Sequence, residues 1–266
     1  MAYKNYEELP FTEDFMFGKV MSGKGLCRDV LELLLQKPVG ELSDPVSQWA
    51  YRYTSEGKPV RLDIYTKDDE AVYDAEMQNL NRQKPENLMI PKRTRFYQSS
   101  IDMDFLSKGD SYRKLPEVNI LMICTFDPFG RNEAVYEIES ACRKNHDMVF
   151  DDGIVRYFFN AAYTGDDIPE KLKNFYTYLQ TGRPTDDLTD RIENAVRQAR
   201  KNEVWKGEYM KERLHDEDIR EEGRAEGIEV GRLQERANTE RAQAKIAELE
   251  QQLAELKALL KAKEIS

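Results

Sequence analysis

The stretch that decides the fold runs from residue 60 to residue 78 and reads VRLDIYTKDDEAVYDAEMQ. Apolar and polar side chains alternate on both sides of the polar residues 67–70, which is typical of two half-buried β-strands joined by a tight turn. A similar segment, SQWAYRYT, lies upstream at residues 47–54. We therefore predict a three-stranded antiparallel meander in which the last two strands are direct neighbours.

Acidic side chains occupy one face of this meander. Asp63 lies between Leu62 and Ile64, so strict alternation would point its side chain away from the face that these two residues bury. In the following strand, Asp74 and Glu76 share one face. Antiparallel pairing should bring Asp63 opposite or diagonal to one of these acids, with Cβ atoms roughly 5–8 Å apart.

This acidic face has the composition of a metal site. Gln78 continues the face of Glu76, so two or three carboxylates converge beside an amide. Close carboxylates repel one another unless a positive charge neutralises them, and oxygen ligands without imidazole or thiolate suit Mg²⁺ or Mn²⁺. The alternative is an ordinary solvent-facing side of a two-layer hairpin.

Other segments complete an α/β pattern around the meander. The segments TEDFMFGKVM and CRDVLELLLQ predict two helices with a break between them at residues 22–25. A helical pattern begins near Pro91, and the apolar run VNILMICTF at residues 118–126 predicts a central strand that is buried on both faces. Further strands are expected at residues 134–140 and 154–163, and helices at about residues 169–180 and 186–214. The order α-β-β-β-α-β predicts a mixed sheet flanked by helices.

Composition limits the chemistry. The chain has 266 residues and is 40% hydrophobic, which is enough for a sizeable core. Two histidines and three widely separated cysteines disfavour Ser-His-Asp chemistry and zinc clusters, so any catalysis must use carboxylates. The formal net charge of −10 argues against nucleic-acid binding by the whole surface, although a local basic groove remains compatible with it.

Targeting signals are not apparent in the sequence. The first twenty residues carry acids and lack the apolar run of a signal peptide, and no stretch approaches the ~18 apolar residues of a membrane helix. We therefore expect a cytoplasmic protein with no membrane partner.

A basic segment follows the third strand. Its charged residues are Arg82, Lys84, Lys92, Arg93 and Arg95, with Glu86 as the sole acid between residues 82 and 95. Phe96 and Tyr97 adjoin these charges, so contacts to nucleic-acid phosphates with nearby ring packing are expected. For Lys84 and Lys92, a solvated basic helix face is the alternative.

Regularly spaced glycines lie at the start of the C-terminal tail. Beyond about Gly223 the composition shifts to Glu, Arg, Ala, Gln, Leu and Lys without aromatic residues. Gly223, Gly227 and Gly231 recur every four residues, so a helix would carry them as a smooth stripe at a cost of roughly 1 kcal/mol each relative to alanine. A flexible connector is the alternative.

The last part of the tail carries a heptad pattern. The residues are Ile246, Leu249, Leu253, Leu256 and Leu260, which are spaced alternately by three and four positions. This spacing predicts the a/d seam of a coiled coil and therefore a homo-oligomer. An amphipathic helix that lies back on its own domain is the alternative.

Several of these motifs occur together in one order. They are TEDFMF (12–17), RLDI (61–64), AEMQ (75–78), PKRTRFYQS (91–99) and KGDSY (108–112), followed by the strand VNILMI. This set resembles the Rpn family of recombination-promoting nucleases, also labelled PD-(D/E)XK nuclease family transposases. The similarity covers residues 10–165, and EGRAEGIEVG at 222–231 is similar to the ends of those proteins. The resemblance implies a restriction-endonuclease-like PD-(D/E)XK fold and a Mg²⁺-dependent DNA endonuclease linked to recombination, mobile elements and phage defence.

The resemblance also implies roles for the acidic residues. By position, Asp63 and Glu76 would be metal ligands. Asp14 matches an upstream acid that some relatives add to the metal shell, although a first-turn helix acid is an equal alternative. Gln78 stands where the wider fold has lysine, so it would position the attacking water by hydrogen bonds without lending a positive charge.

The predicted nucleic-acid-binding residues lie on the helix after the third strand. Arg93, Arg95, Tyr97 and Gln98 correspond to the family's segment there, and Lys92 joins them through its charge. We expect them to orient DNA phosphates or to support the metal site. Core packing is the alternative for Tyr97.

These expectations define three parts of the chain. They are a nuclease-like core at residues 1–165, a helical extension at 166–222 and a glycine-striped helix with a coiled-coil tail at 223–266. Two other functions remain open. One is a nuclease-derived DNA- or protein-binding partner that has lost catalysis, which Gln78 in place of lysine favours. The other is a coiled-coil adaptor in which the acidic face has no function.

Overall fold

The computed structural model describes residues 4–51, 60–79, 89–145, 147–148 and 150–264, without the side chains of residues 51, 256 and 258–264. It divides into two compact units, Met1–Lys206 and Gly207–Ser266. The sheet and its flanking helices belong to the first unit, and the second consists of most of a long helix. The domain boundaries predicted after residues 165 and 222 stay predictions.

A six-stranded mixed sheet forms the centre of the first unit. Its strands are β1 (Val46–Tyr51), β2 (Val60–Lys67), β3 (Ala71–Gln78), β4 (Glu117–Cys124), β5 (Val135–Ile138) and β6 (Ile154–Asn160). They lie in the order β1-β2-β3-β4-β6-β5. The first three strands form the predicted antiparallel meander, whereas β4 is parallel to β3 and to β6. Every residue of β4 except Glu117 is buried, as its apolar sequence predicted.

Six α-helices accompany the sheet in the described ranges. They are α1 (Asp14–Met21), α2 (Lys24–Leu35), α3 (Ile90–Phe105), α4 (Glu170–Thr181), α5 (Asp187–Ala199) and α6 (Glu203–Glu264). The predicted α/β class, a mixed sheet flanked by helices with a helical C-terminus, is therefore confirmed.

One predicted helix is in fact two. We expected a continuous helix over residues 186–214, but α5 ends at Ala199 and α6 begins at Glu203. The side chain of Asn202 accepts hydrogen bonds from the backbone N–H groups of Val204 and Trp205, at 3.0 and 3.1 Å. Such a bond satisfies donors at a helix start, so Asn202 begins a new helix where the pattern alone predicted continuation.

Helix α3 connects β3 to β4 and covers one face of the sheet. Its buried residues Ile90, Tyr97 and Ile101 pack against Ile120 and Met122 of β4 in a single apolar cluster. This packing fixes the rotation of α3 about its axis, and therefore determines which of its basic residues turn towards the sheet.

Helix α1 approaches β2 closely because residue 18 is glycine. A Cβ atom at Gly18 would lie 3.3 Å from the Cβ of Ser47 and 3.8 Å from the backbone oxygen of Asp63. A larger side chain would push the helix away from the sheet, so Gly18 sets the distance between the middle of α1 and the strands β1 and β2.

The segment before α1 is tied to the end of α5. The buried hydroxyl of Tyr6 donates to the carbonyl oxygen of Ala199 at 2.6 Å, and Nη2 of Arg200 donates to the carbonyl oxygen of Leu9 at 2.8 Å. These bonds join residues almost two hundred positions apart and hold the approach to α1 in place.

The tail of the chain is helical as far as Glu264. Helix α6 runs through Gly223, Gly227 and Gly231 without a break. Ile246, Leu249 and Leu253 are each more than half exposed, while the side chains of Leu256 and Leu260 lie outside the described part. Within the described ranges, no helix combines the length and the apolar character needed to cross a membrane.

The bond between Tyr6 and Ala199 predicts a measurable share of stability. We expect Tyr6→Phe to lower the free energy of unfolding by about 1–2 kcal/mol, because it leaves a carbonyl group without its donor. Urea denaturation followed by tryptophan fluorescence measures this change. Tyr112→Phe is the matched control, since Tyr112 is 82% exposed. Equal stability of the two variants would contradict the assigned role of Tyr6.

Candidate functional site

The ladder between β2 and β3 opens where the two predicted acids meet. The last backbone-paired positions are Ile64 and Ala75, after which the register would pair Asp63 with Glu76. There, the backbone N–H of Asp63 donates to Oε1 of Glu76 at 2.8 Å, and the backbone N–H of Met77 donates to Oδ2 of Asp63 at 3.0 Å. Each carboxylate thus replaces a missing backbone acceptor on the neighbouring strand, and the two acids are held side by side.

The strand changes face at Asp63. Gln48 of β1, which faces Asp63 in the register of β1 and β2, has a φ angle of 55° that is uncommon for a residue other than glycine. Leu62 packs with Tyr65 in the apolar cluster beneath α3, whereas Ile64 is buried outside that cluster. The predicted alternation, with Leu62 and Ile64 on one face, is therefore wrong at this point.

Arg93 of α3 reaches into the opening. Its Nη1 donates to Oε1 of Gln78 at 2.7 Å, and its Nη2 lies 3.6 Å from Oε2 of Glu76. Nη2 also donates to the hydroxyl oxygen of Tyr97 at 2.7 Å. The amide nitrogen of Gln78 donates to the carbonyl oxygen of Met77 at 3.0 Å. The structure thus brings together the predicted residues Glu76, Gln78, Arg93 and Tyr97.

The acids of the site carry more negative charge than their surroundings neutralise. Burial, followed by the charge of Asp14, raises the pKa of Asp63 to about 7. Burial also raises the pKa of Glu76 well above its ordinary value, and Asp63 and Asp74 add to that shift. The nearby guanidinium of Arg93 lowers the pKa of both Asp63 and Glu76 without offsetting the increase. The site would therefore gain from a further positive charge.

Asp74 is a third acid that the sequence placed on this face but to which no role was given. Its side chain is 0% exposed, and within the described part of the chain its carboxyl oxygens receive no N–H or hydroxyl donor, so the carboxyl group of Glu76 is their hydrogen-bonding neighbour. Burial, with the charge of Asp63, raises its pKa well above the ordinary value. Two buried carboxyl groups in contact are costly when both are charged, so Asp74 adds to the demand for a proton or a cation near Glu76.

Asp14 lies at the first position of α1, with its side chain at the surface. Loss of solvation, together with the charge of Glu13, raises its pKa, while Arg61 and Arg93 lower it. Because its charge contributes to the shift of Asp63, the two acids are within electrostatic reach of each other. Among the described residues, however, Asp14, Asp63 and Glu76 do not form a group that could hold a metal ion, so the predicted role of Asp14 as a ligand stays a prediction.

The remaining predicted binding residues are not part of this cluster. Gln98 accepts a hydrogen bond from Arg156 of β6 and donates one to Asp102 of its own helix, and its predicted role in phosphate orientation or in support of the metal site stays a prediction. Lys92 and Arg95 are exposed on α3. Of the basic segment's other members, Arg82, Lys84 and Glu86 lie outside the described residues.

The donor atoms suit a hard cation with few protein ligands. Among the described residues, no three Asp, Glu, His or Cys side chains form a ready-made metal cage. One oxygen each of Asp63 and Glu76 is held by a backbone N–H, so Oδ1 of Asp63 and Oε2 of Glu76 are the oxygens that could hold a cation, the latter 3.6 Å from Nη2 of Arg93. Mg²⁺ usually binds to one or two carboxylates and keeps several waters, so this pair fits it. The oxygens of Asp74 have the carboxyl group of Glu76 as their hydrogen-bonding neighbour and no N–H donor, which agrees with a need for a shared proton or a positive charge.

Comparison of the chain with known protein families, with curated proteins and with solved structures finds no match. The resemblance to the Rpn nucleases therefore rests on its motifs and stays a prediction. The chemistry of the site has to be inferred from its own geometry.

The raised pKa of Asp63 predicts a pH-dependent stability. Its carboxyl is easier to protonate in the folded state than in the unfolded state, where its pKa is about 4. The contribution of the protonated Asp63 carboxyl to the free energy of unfolding is thus complete below about pH 4 and is lost as the pH rises through about 7. Asparagine keeps an acceptor for Met77 but carries no charge. In metal-free buffer we expect Asp63→Asn to match the wild type near pH 4 and to exceed it by roughly 1–3 kcal/mol at pH 8.

Urea denaturation at several pH values measures this difference. Asp69→Asn is the control, because Asp69 is exposed in the turn of the same hairpin and should show no such pH dependence. An Asp63→Asn protein that is less stable than the wild type at pH 8 would show that the negative charge itself stabilises the fold.

Proposed function

We propose that the chain is a Mg²⁺- or Mn²⁺-dependent DNA endonuclease of the PD-(D/E)XK type, which hydrolyses phosphodiester bonds. The observation that carries the proposal is the opening between β2 and β3, where Asp63 and Glu76 are held side by side with Arg93 next to them. The element order, with a meander, a covering helix and a parallel central strand, supports the same fold type.

The acids would hold the cation. Asp63 and Glu76 would bind it through the oxygens that the backbone does not use, and Asp14 would add negative charge at the rim. When bound, the ion would stabilise charge that develops on the phosphate and lower the pKa of a water molecule. The carboxyl of Asp63 is partly exposed, so substrate would approach the cation from its side, whereas Glu76 is buried.

DNA would be contacted through the surface of α3. Lys92 and Arg95 are exposed on this helix, one residue before and two residues after Arg93, which points into the site. Phosphate contacts of this kind position a duplex without reading its sequence. A local basic face also reconciles DNA binding with the formal net charge of −10. An enzyme of this kind would act in the cytoplasm in recombination, in mobile elements or in phage defence, as the resemblance implies.

A second candidate function is an inactive nuclease-like protein that binds DNA or a protein. One observation favours it: Gln78 stands at the position of the fold's lysine, and both ends of its amide are engaged, by Arg93 and by the backbone of Met77. This function predicts DNA binding without cleavage in any divalent cation.

Nicking of supercoiled plasmid tests the enzymatic proposal. We expect cleavage by the full-length protein with Mg²⁺ or Mn²⁺, none in EDTA, and a loss of roughly 100-fold or more in Asp63→Asn and in Glu76→Gln. Both substitutions keep the acceptors for the backbone N–H groups, so the fold should persist. Asp69→Asn should cleave like the wild type. Equal cleavage by the wild type and both site variants would exclude the assigned site.

We also propose that two copies of the chain associate through α6. With Ile246 at position a, Lys245 falls at position g and Glu250 at position e. In a parallel pair, Lys245 of one copy would face Glu250 of the other, which is an attractive contact that favours this register. Leu249 and Leu253 are more than half exposed in the single chain and would be covered. Association would present two sites to a duplex, which suits double-strand cleavage.

Positive charges at the a and d positions of the coiled coil should dissociate the oligomer. We expect Leu249→Lys with Leu253→Lys to be a monomer in light scattering coupled to gel filtration, because two lysines cannot pack at a and d positions. The matched control is Ala244→Lys with Gln251→Lys, which adds the same charge on the opposite side of the helix and should remain oligomeric. A monomeric wild type at micromolar concentration would reject the assembly.

A further inference from the structure

Arg93 lies against Gln78, the position at which the resemblance implies a lysine in the wider fold. The guanidinium lies 2.7 Å from Oε1 of Gln78 and 3.6 Å from Oε2 of Glu76. A lysine at position 78 would extend from β3 into the same space. In this chain the positive charge arrives instead from α3, and the strand contributes a neutral acceptor.

We infer that Arg93 is the positioning residue that supplies the site's positive charge, and that Gln78 serves to hold its guanidinium against Glu76. This inference rests on the proposed function and deepens it. It assigns to Gln78 a different task from the water positioning that the resemblance implied. It also answers the main argument for an inactive protein, because the charge missing from position 78 is present at position 93.

Arg93 is held firmly enough for this role. Both its Nε and its Nη2 donate to the hydroxyl oxygen of Tyr97, at 3.1 and 2.7 Å. Tyr97 lies one helical turn further along α3 and is buried in the cluster against the sheet. The guanidinium therefore contacts Tyr97, Gln78 and Glu76 at once, which fixes a side chain that would otherwise sample many rotamers. The side chain of Arg93 is 35% exposed.

Gln78 is suited to this partner in a way that lysine is not. Its amide oxygen accepts from Nη1 of Arg93, while its amide nitrogen donates to the carbonyl oxygen of Met77. A lysine beside this guanidinium would place two positive charges in contact and would have no acceptor to offer. Arginine at 93 with glutamine at 78 thus forms one unit, equivalent in charge to a neutral residue at 93 with lysine at 78.

This role differs measurably from that of a purely structural ion pair. A structural Arg93 would support the geometry of the acids, so its loss would weaken both cation binding and cleavage. A charge-supplying Arg93 competes with the cation for the carboxylates, so its loss should tighten cation binding while cleavage falls. The two effects have opposite signs.

A charge-relocation experiment separates the two roles. The full-length variants are Arg93→Gln, Gln78→Lys and the double variant Arg93→Gln with Gln78→Lys. We expect Arg93→Gln to lose roughly 100-fold in plasmid cleavage and the double variant to recover at least about tenfold of that loss. Gln78→Lys alone should be impaired, because it places two cations together. Arg113→Gln, an exposed arginine before the other end of β4, is the control and should match the wild type.

Calorimetric titration with Mn²⁺ gives a readout that does not depend on cleavage. We expect Arg93→Gln to bind Mn²⁺ roughly three- to tenfold more tightly than the wild type, and the double variant to return towards the wild-type value. Arg93→Lys keeps the charge and should keep the wild-type affinity. This variant also tests the proposal if Arg93→Gln does not fold, as judged by thermal denaturation.

Several results would overturn the inference. They are weaker Mn²⁺ binding by folded Arg93→Gln, an affinity change in Arg93→Lys as large as in Arg93→Gln, and a folded double variant that cleaves no better than Arg93→Gln. A wild type that binds Mn²⁺ without cleaving would reject the proposed function, while the order of Mn²⁺ affinities would still decide the role of Arg93. A wild type that neither binds Mn²⁺ nor cleaves would overturn both.

Discussion

Two carboxylates stand in for backbone carbonyls between β2 and β3, and the rest of the site depends on this exchange. A buried backbone N–H needs an acceptor, and here Oε1 of Glu76 and Oδ2 of Asp63 provide it. Asparagine and glutamine would accept the same bonds. The negative charges are therefore not required by the sheet, and burial makes them costly. The cation of the proposed function would offset this cost.

Local patterns predicted most of the sheet, because each depended only on neighbours in the chain. The meander followed from alternation, and the adjacency of Asp63 and Glu76 followed from its register. The change of face at Asp63 was not predictable, since it accompanies a positive φ angle at Gln48 on another strand. The break between α5 and α6 was missed because no glycine or proline marks it, and Asn202 alone carries the signal.

The site residues on α3 show where sequence reasoning reaches its limit. Composition identified a basic segment but could not rank its members. Arg93 turns inward because it lies three residues after Ile90 and four before Tyr97, both of which are buried against the sheet. Helical spacing contained that information, and it also placed Gln98 on a different side, where Arg156 engages it. Only the packed orientation of the helix showed which polar side chain meets Glu76.

Helix α3 both covers the apolar core and carries Arg93. Substitutions in the core can therefore change the position of the Arg93 guanidinium. A change of volume at Ile101, which is fully buried in the cluster beneath α3, would rotate or lift the helix and move the guanidinium with it. Exchange of one buried apolar residue for another of different size would therefore change the chemistry of the proposed site. Under the proposed function, substitutions at buried positions beneath α3 would alter the site without changing any residue that contacts the substrate.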